Sequence, residues 1–130
     1  MIKKTRTFSD LNLNLSAHPN TKDISRVYDS NAINQSLRNL ILTRNYERPF
    51  NSEIGSQVSN LLFENANPMT PALLQKTIEN VVTNFEPRVI LLGVEINDRP
   101  DNNAYDINIH YIIRNTSIPR NTSLTLERSR

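Results

Sequence analysis

The chain has 130 residues, 37% of them hydrophobic and 6% aromatic, with no tryptophan and no cysteine. That length holds one domain with a modest aliphatic core, and the missing cysteine excludes disulfides, thiolate metal sites and a cysteine nucleophile while fitting a reducing cytoplasm. The net charge is only +2, with basic residues gathered at the ends (Lys3, Lys4, Arg6; Arg120, Arg128, Arg130) and no aromatic interleaving to stack bases, so nucleic acid is not an expected partner.

Residues 1–28 show no sustained period and are read as an N-terminal arm, with Leu11, Leu13 and Leu15 marking a short edge strand or an extended segment. Phe8 to Asn14 is no apolar signal core, and no later stretch approaches the roughly 20 apolar residues of a membrane span, which predicts a soluble protein. His18 lies in turn chemistry with its only fellow, His110, on a distant strand, so no metal site is expected.

A single domain is expected over 29–130. Ile33, Leu37, Leu40 and Ile41 recur at helical spacing after Asp29-Ser30 and predict a helix ending near Thr43 to Tyr46, ahead of Arg48-Pro49-Phe50. Phe50 is expected to fold back onto the core. A second helix is read from Ile54, Val58, Leu61, Leu62 and Phe63, with Gly55 near its start as a place of close approach. Thr70-Pro71 opens a third helix with an N-cap threonine and a proline in the first turn, and its stripe is Leu74, Ile78, Val81, Val82 and Phe85.

Pro87 ends that helix, because it lacks an amide hydrogen and pushes Glu86 toward extended geometry. Beyond it Ile90, Leu92, Val94 and Ile96 alternate as a strand, Asn97 to Asn103 read as a turn, and Tyr105 to Ile113 alternate more cleanly still. A last alternating segment, Thr122-Ser123-Leu124-Thr125-Leu126-Glu127, is expected at the sheet edge. The fold class is therefore α+β, helices followed by a small antiparallel sheet. Glu86 and Arg88, two apart in an extended stretch, project from one face. Two readings of that doublet are open: a charged pair shared with a partner, or a cation placed to suit the end of a helix dipole.

The order of Arg48-Pro49-Phe50, Gly55, Leu62-Phe63-Glu64 and Phe85-Glu86-Pro87-Arg88 resembles the small baseplate wedge family of contractile-tailed phages, over about Phe8 to Leu126. The resemblance implies a structural subunit of the virion tail baseplate, assembled in the host cytoplasm, with a fold like the conserved domain of the tail sheath protein. It implies docking on larger wedge subunits through Glu86, Pro87 and Arg88, with Arg48, Pro49, Phe50, Gly55 and Phe63 as structural motif residues. It also implies that the chain templates the first ring of the sheath, for which Thr122 to Glu127 is the expected edge. No membrane, small-molecule substrate, metal or cofactor is implied. The family commonly has a glycine before Arg-Pro-Phe; here Asn45-Tyr46-Glu47 stands there, so Asn45 is expected to take any left-handed conformation.

The family also carries an association with lysozyme-like activity, which makes a peptidoglycan-degrading glycosidase the alternative. Such an enzyme needs two carboxylates about 5–10 Å apart across a cleft, one of them with a raised pKa. Glu64 and Glu86 could approach if the helices pack suitably, but Glu86 beside Arg88 is held ionised and unsuited to proton donation, Glu79 has no carboxylate at i+3 or i+4, and Asp98 and Asp101 sit in a hairpin turn where nothing builds a sugar cleft. The chain offers no Gly-x-Ser-x-Gly elbow or phosphate loop either. No catalytic residue is assigned.

Overall fold

The computed structural model describes residues 8–64 and 67–128. The basic cluster Lys3, Lys4 and Arg6, the loop residues Asn65 and Ala66, and Arg130 lie outside them. The chain forms two compact units, Met1–Ser36 and Leu37–Arg130.

In the first unit, β1 (Ser9–Leu11) pairs antiparallel with β2 (Arg26–Tyr28), Ser9 opposite Tyr28 and Leu11 opposite Arg26. Three residues are too few to display a period, so β2 left no trace in the pattern of the sequence. The hairpin is tied to helix α1 (Asp29–Leu42) by polar contacts: Gln35 accepts from the Leu13 amide at 3.2 Å and donates to the Leu11 carbonyl at 2.7 Å. Asp29 likewise accepts from the Phe8 amide at 3.2 Å through its side chain, while its own amide donates to the Phe8 carbonyl at 2.8 Å. Ile33 of α1 is fully buried.

The second unit begins with the end of α1, whose Leu37, Leu40 and Ile41 are buried as the spacing predicts. Helix α2 covers only Val58–Phe63. The expected start at Ile54 fails because residues before Val58 are occupied in turns: the Ile54 amide bonds the Asn51 carbonyl, and Ser56 bridges back to Thr43 and Ile41. Helix α3 spans Thr70–Phe85 and buries Leu74, Ile78, Val81 and Val82, with Phe85 half-buried. Its entry differs from the expected threonine cap. Asn67 receives the Met69 amide on its side chain at 3.0 Å and the Thr70 amide on its carbonyl at 2.9 Å, leaving Thr70 buried in the first turn.

Three antiparallel strands follow in spatial order β3-β4-β5: β3 (Val89–Arg99), β4 (Ala104–Ile113) and β5 (Pro119–Glu127). The fold is α+β with the expected order of helices, then sheet. β4 alternates as its sequence demands, Ile107, Ile109, Tyr111 and Ile113 buried and the residues between them half-exposed. β3 does not. Leu91 faces Tyr111 and Gly93 faces His110, so Leu92 is an extra residue, a bulge that reverses which residues point inward. Val89 and Leu91 face the core before it and Val94 and Ile96 after it, which leaves Ile90 and Leu92 49% and 54% exposed although they share the parity of Val94. The expected polar turn is also shorter than Asn97 to Asn103. Asn97, Asp98 and Arg99 are strand, and one 3-10 turn at Pro100–Asn102 reverses the chain, with Asn103 left-handed at φ 51°. α3 packs along β3, so the helical stripe and the inward residues of the sheet form one core.

Candidate functional site

The junction between α3 and β3 places Glu86, Pro87 and Arg88 in a tight turn. The Glu86 amide closes the last helical bond to Val82, Pro87 stops the helix, and Arg88 leads into β3 with its carbonyl receiving the Arg114 amide at 2.8 Å. Glu86 and Arg88 project to the same side, as their spacing predicts, and meet each other: the Arg88 fork donates from Nε to Oε1 at 2.7 Å and from Nη2 to Oε2 at 2.9 Å. Only 3% of the Glu86 side chain is exposed and 22% of that of Arg88. The doublet is thus neither two free charges nor a helix-end cation alone; it is a two-point ion pair with its carboxylate buried and its guanidinium reaching the surface. Arg114, a residue the sequence reading did not single out, braces the turn by donating from Nε to the Pro87 carbonyl at 2.6 Å. Its place at the end of the β4 alternation, where an inward apolar series gives way to a cation, is the one signal that could have found it.

Arg48, Pro49 and Phe50 lie at the tip of a loop whose neck is closed by hydrogen bonds. The Ser56 amide donates to the Thr43 carbonyl at 2.8 Å, the Ser56 hydroxyl to the Ile41 carbonyl at 2.5 Å and the Tyr46 amide to the Ser52 carbonyl at 2.8 Å. The Glu47 carboxylate caps the Arg44 amide at 2.9 Å. Gly55 has the close approach its position suggested, since a Cβ there would stand 2.7 Å from the Arg44 carbonyl carbon and oxygen. Two expectations fail. Phe50 does not fold back onto the core; it is 97% exposed, because the neck turns the tip outward. The left-handed residue is Tyr46, at φ 68°, not Asn45. Phe63, at the end of α2, is also exposed and lies under the Arg44 guanidinium, 5.7 Å from ring centroid to Cζ.

β5 is an edge of the sheet. Which of its amides are free follows from one bond: the Arg128 amide donates to the Asn103 carbonyl directly opposite it at 2.8 Å. Hydrogen-bonded pairs recur every second residue in an antiparallel ladder, so the amides of Leu126, Leu124 and Thr122 face β4 and those of Glu127, Thr125 and Ser123 face outward. Leu124 and Leu126 are buried, and Ser123, Thr125 and Glu127 are exposed. Arg128 is not a free basic end. Its Nη2 donates to Asp98 at 2.8 Å and to the Tyr105 hydroxyl at 2.6 Å, clamping the end of β5 to the β3–β4 reversal. Burial works against its charge, and the Tyr105 and Asp98 contacts outweigh that to raise its pKa. Burial also raises the pKa of the Tyr111 phenol, against a smaller opposing pull from Arg120.

A groove of about 440 Å³ runs between α3 and β3, lined by Glu79, Asn80, Thr83, Asn84, Leu91, Leu92 and Gly93. Glu79 is its one carboxylate, and Glu86, tied to Arg88, is not among its lining residues, so the groove lacks the pair that glycoside hydrolysis uses. Among the described residues no three His, Cys, Asp or Glu come together as a metal site, and no helix is long and apolar enough to cross a membrane.

Against known proteins, the family model described as baseplate wedge protein gp25 matches residues 28–117. Baseplate wedge protein gp25 of Enterobacteria phage T4 is 36% identical over 96 residues, which cover 74% of this chain and 72% of that one. Among solved structures, a proposed tail lysozyme from Geobacter sulfurreducens superposes with a TM-score of 0.73 at 24% identity, covering 82% of this chain and 98% of its own. A chain of the anti-feeding prophage baseplate superposes with a TM-score of 0.64 at 22% identity, covering 94% and 86%. At those identities the two structures speak for the fold.

Proposed function

The chain belongs to the baseplate wedge protein gp25 family, and on that premise we propose that it is a structural subunit that docks on larger wedge proteins through the Glu86-Pro87-Arg88 junction and starts sheath polymerisation from β5. The observation that carries the docking reading is the ion pair itself. A buried carboxylate that holds a guanidinium by two bonds fixes the cation at a surface turn, and preorganised Arg side chains of this kind are common anchors of protein interfaces. Removing Arg88 takes the two-point partner from a buried carboxylate and so perturbs the fold, and the cleaner probe lies beside the pair. Arg114→Glu reverses an exposed charge at the junction, and reconstituted wedges analysed by sedimentation should lose the variant while the isolated protein stays folded, destabilised about as much as Arg114→Gln, which loses the same bond to Pro87 but should still join wedges. Normal incorporation would remove the junction from the contact.

The sheath reading rests on the edge. β5 runs through nine residues without a bulge, whereas the other edge strand, β3, is interrupted at Leu92, and bulges blunt an edge against further pairing. Strand addition uses main-chain hydrogen bonds, so a lost donor is the sharp test. Thr125→Pro removes one outward amide and none that faces β4. Complete baseplates without polymerised sheath are expected; normal sheath on such baseplates would assign initiation elsewhere, the Leu11 to Leu15 segment being the next candidate. Likeness of this sheet to the sheath protein's own domain belongs to the same proposal, as does assembly in the host cytoplasm, which the absence of cysteine supports. A glycosidase role finds no support in the α3–β3 groove, whose lining holds one carboxylate, Glu79, and not the required pair.

A further inference from the structure

The Arg48-Pro49-Phe50 tip has no part in the core, the ion pair or the sheet edge, yet the chain spends a glycine, a buried serine and a left-handed tyrosine on holding it in place. A loop kept only as a connection would let its aromatic side chain collapse onto apolar surface. Here the neck prevents collapse, so Phe50 at 97% and Tyr46 at 83% exposure stand in water as fixed features. Arg48, two residues before Phe50, is exposed and pairs with no carboxylate among the described residues. An outward aromatic and an unanswered guanidinium on a braced loop are the two chemistries that dominate the energetic centres of protein interfaces, where they fill an apolar pocket and meet a carboxylate.

We propose that this tip is a second docking element, in which Phe50 enters an apolar pocket on another baseplate protein and Arg48 meets a carboxylate at the rim of that pocket. It rests on the assembly reading above but not on the Glu86-Pro87-Arg88 contact. Charge favours a protein pocket over a lipid surface. Between Arg44 and Ile54 the loop carries Arg44 and Arg48 against Glu47 and Glu53, a net charge of zero, so an anionic bilayer exerts no overall pull on it, whereas one acidic rim group suits Arg48 alone. Tyr46 and the Arg44–Phe63 stack supply flanking surface that shields such a contact from water.

The test uses the chain's lack of cysteine. Asn51→Cys, at an exposed position beside Phe50, carries a single environment-sensitive bimane label on the full chain. Its emission should shift to the blue when wedge complexes purified without this chain are added. That shift should stay absent with vesicles of phosphatidylglycerol and phosphatidylcholine, and absent when the labelled protein is concentrated alone. Phe50→Ser and Arg48→Glu, each in the labelled background, should melt as the parent does and bind wedges about 30-fold or more weaker, as for a residue at an energetic centre. Equal binding by Phe50→Ser and Arg48→Glu overturns the proposal and leaves the assembly reading standing. A shift with vesicles reassigns the tip to a lipid surface, and a shift on concentration alone reassigns it to a second copy; either overturns the pocket. If the wild-type chain itself does not join wedges, the assembly reading falls, and this inference with it.

Discussion

Glu86-Pro87-Arg88 and Arg48-Pro49-Phe50 both come after a helix and both centre on a proline, but Pro87 ends α3 directly whereas α1 has already ended at Leu42, seven residues before Pro49. In the first triplet the flanking charges close on each other and the carboxylate is buried; in the second all three residues are exposed. Pro87 accounts for the end of α3, but neither proline sets the direction of the side chains. That direction comes from what holds the turn. The junction is pinned between the last helical bond to Val82 and the pairing of Arg88 with Arg114, which leaves Glu86 facing inward. The loop is pinned thirteen residues apart in sequence, at Thr43 and Ser56, so everything between the pins projects away from them. One triplet is a structural ion pair that also reaches the surface, and the other is a presented tip.

The largest effect that separates them is the loss of the arginine. Arg88→Ala leaves an almost fully buried carboxylate without its two-point partner, and removing one member of such a pair costs about 3–5 kcal/mol. Glu86→Gln placed in the Arg88→Ala background should recover part of that loss, because a neutral amide carries no charge into the buried site. Arg48→Ala at the exposed triplet should stay within about 0.5 kcal/mol of wild type. Urea unfolding of the four proteins checks this. Equal costs at Arg88 and Arg48 would erase the distinction between the two triplets.

Next in size is the neck. Gly55→Ala brings a methyl to within 2.7 Å of the Arg44 carbonyl group, backbone that cannot rotate aside, and overpacking of that kind costs about 1–3 kcal/mol. The loss should be local, so amides at Tyr46 and Ser56 should exchange faster while those of β4 hold their protection. Loss of protection across the whole sheet would mean that the neck is part of the core and not a separate clasp.

Helices and strands with one continuous period were legible in advance because their pattern and their burial have a single cause. α3 and β4 each present one apolar face to one core, and the end of α1 buries its apolar stripe at helical spacing, so Leu37, Ile78 and Ile109 could be placed from spacing alone. Where a local irregularity intervened the same reasoning failed. Leu92 matches Val94 in parity, and no propensity marks it as the extra residue of a bulge; Phe50 is a bulky aromatic of the kind that burial favours, and the Thr43–Ser56 closure turns it out. The pairing of Glu86 with Arg88 was half visible. Their two-residue spacing put them on one face, but the burial of Glu86 depends on α3 and β3 meeting at that turn, which is a tertiary fact.

A smaller effect is expected at Arg114, whose Nε bond to the Pro87 carbonyl has no counterpart at Pro49 among the described residues. The bond is at an exposed position, so Arg114→Gln should cost about 0.5–1.5 kcal/mol, the usual net worth of one hydrogen bond. Arg114→Lys keeps the charge and can still reach a carbonyl, and should lose less. If thermal melts show Arg114→Gln as costly as Arg88→Ala, the brace and not the ion pair holds the junction.

The smallest effect is the most telling for the loop. Transfer of a phenylalanine side chain from water to a protein interior contributes about 1.5–3 kcal/mol, and that gain is absent when the ring is already in water. At 97% exposure Phe50 has almost none of it, so Phe50→Ser should leave the stability of the isolated chain within about 0.5 kcal/mol of wild type. The half-buried Phe85 supplies the internal reference: Phe85→Ala should cost about 1–2 kcal/mol by the same area argument, below the value for a fully buried ring. Measured by the same urea titration, the two phenylalanines should therefore separate clearly. A loss at Phe50 as large as that at Phe85 would show that the ring spends most of its time against the protein, and the tip would then no longer be available to a partner.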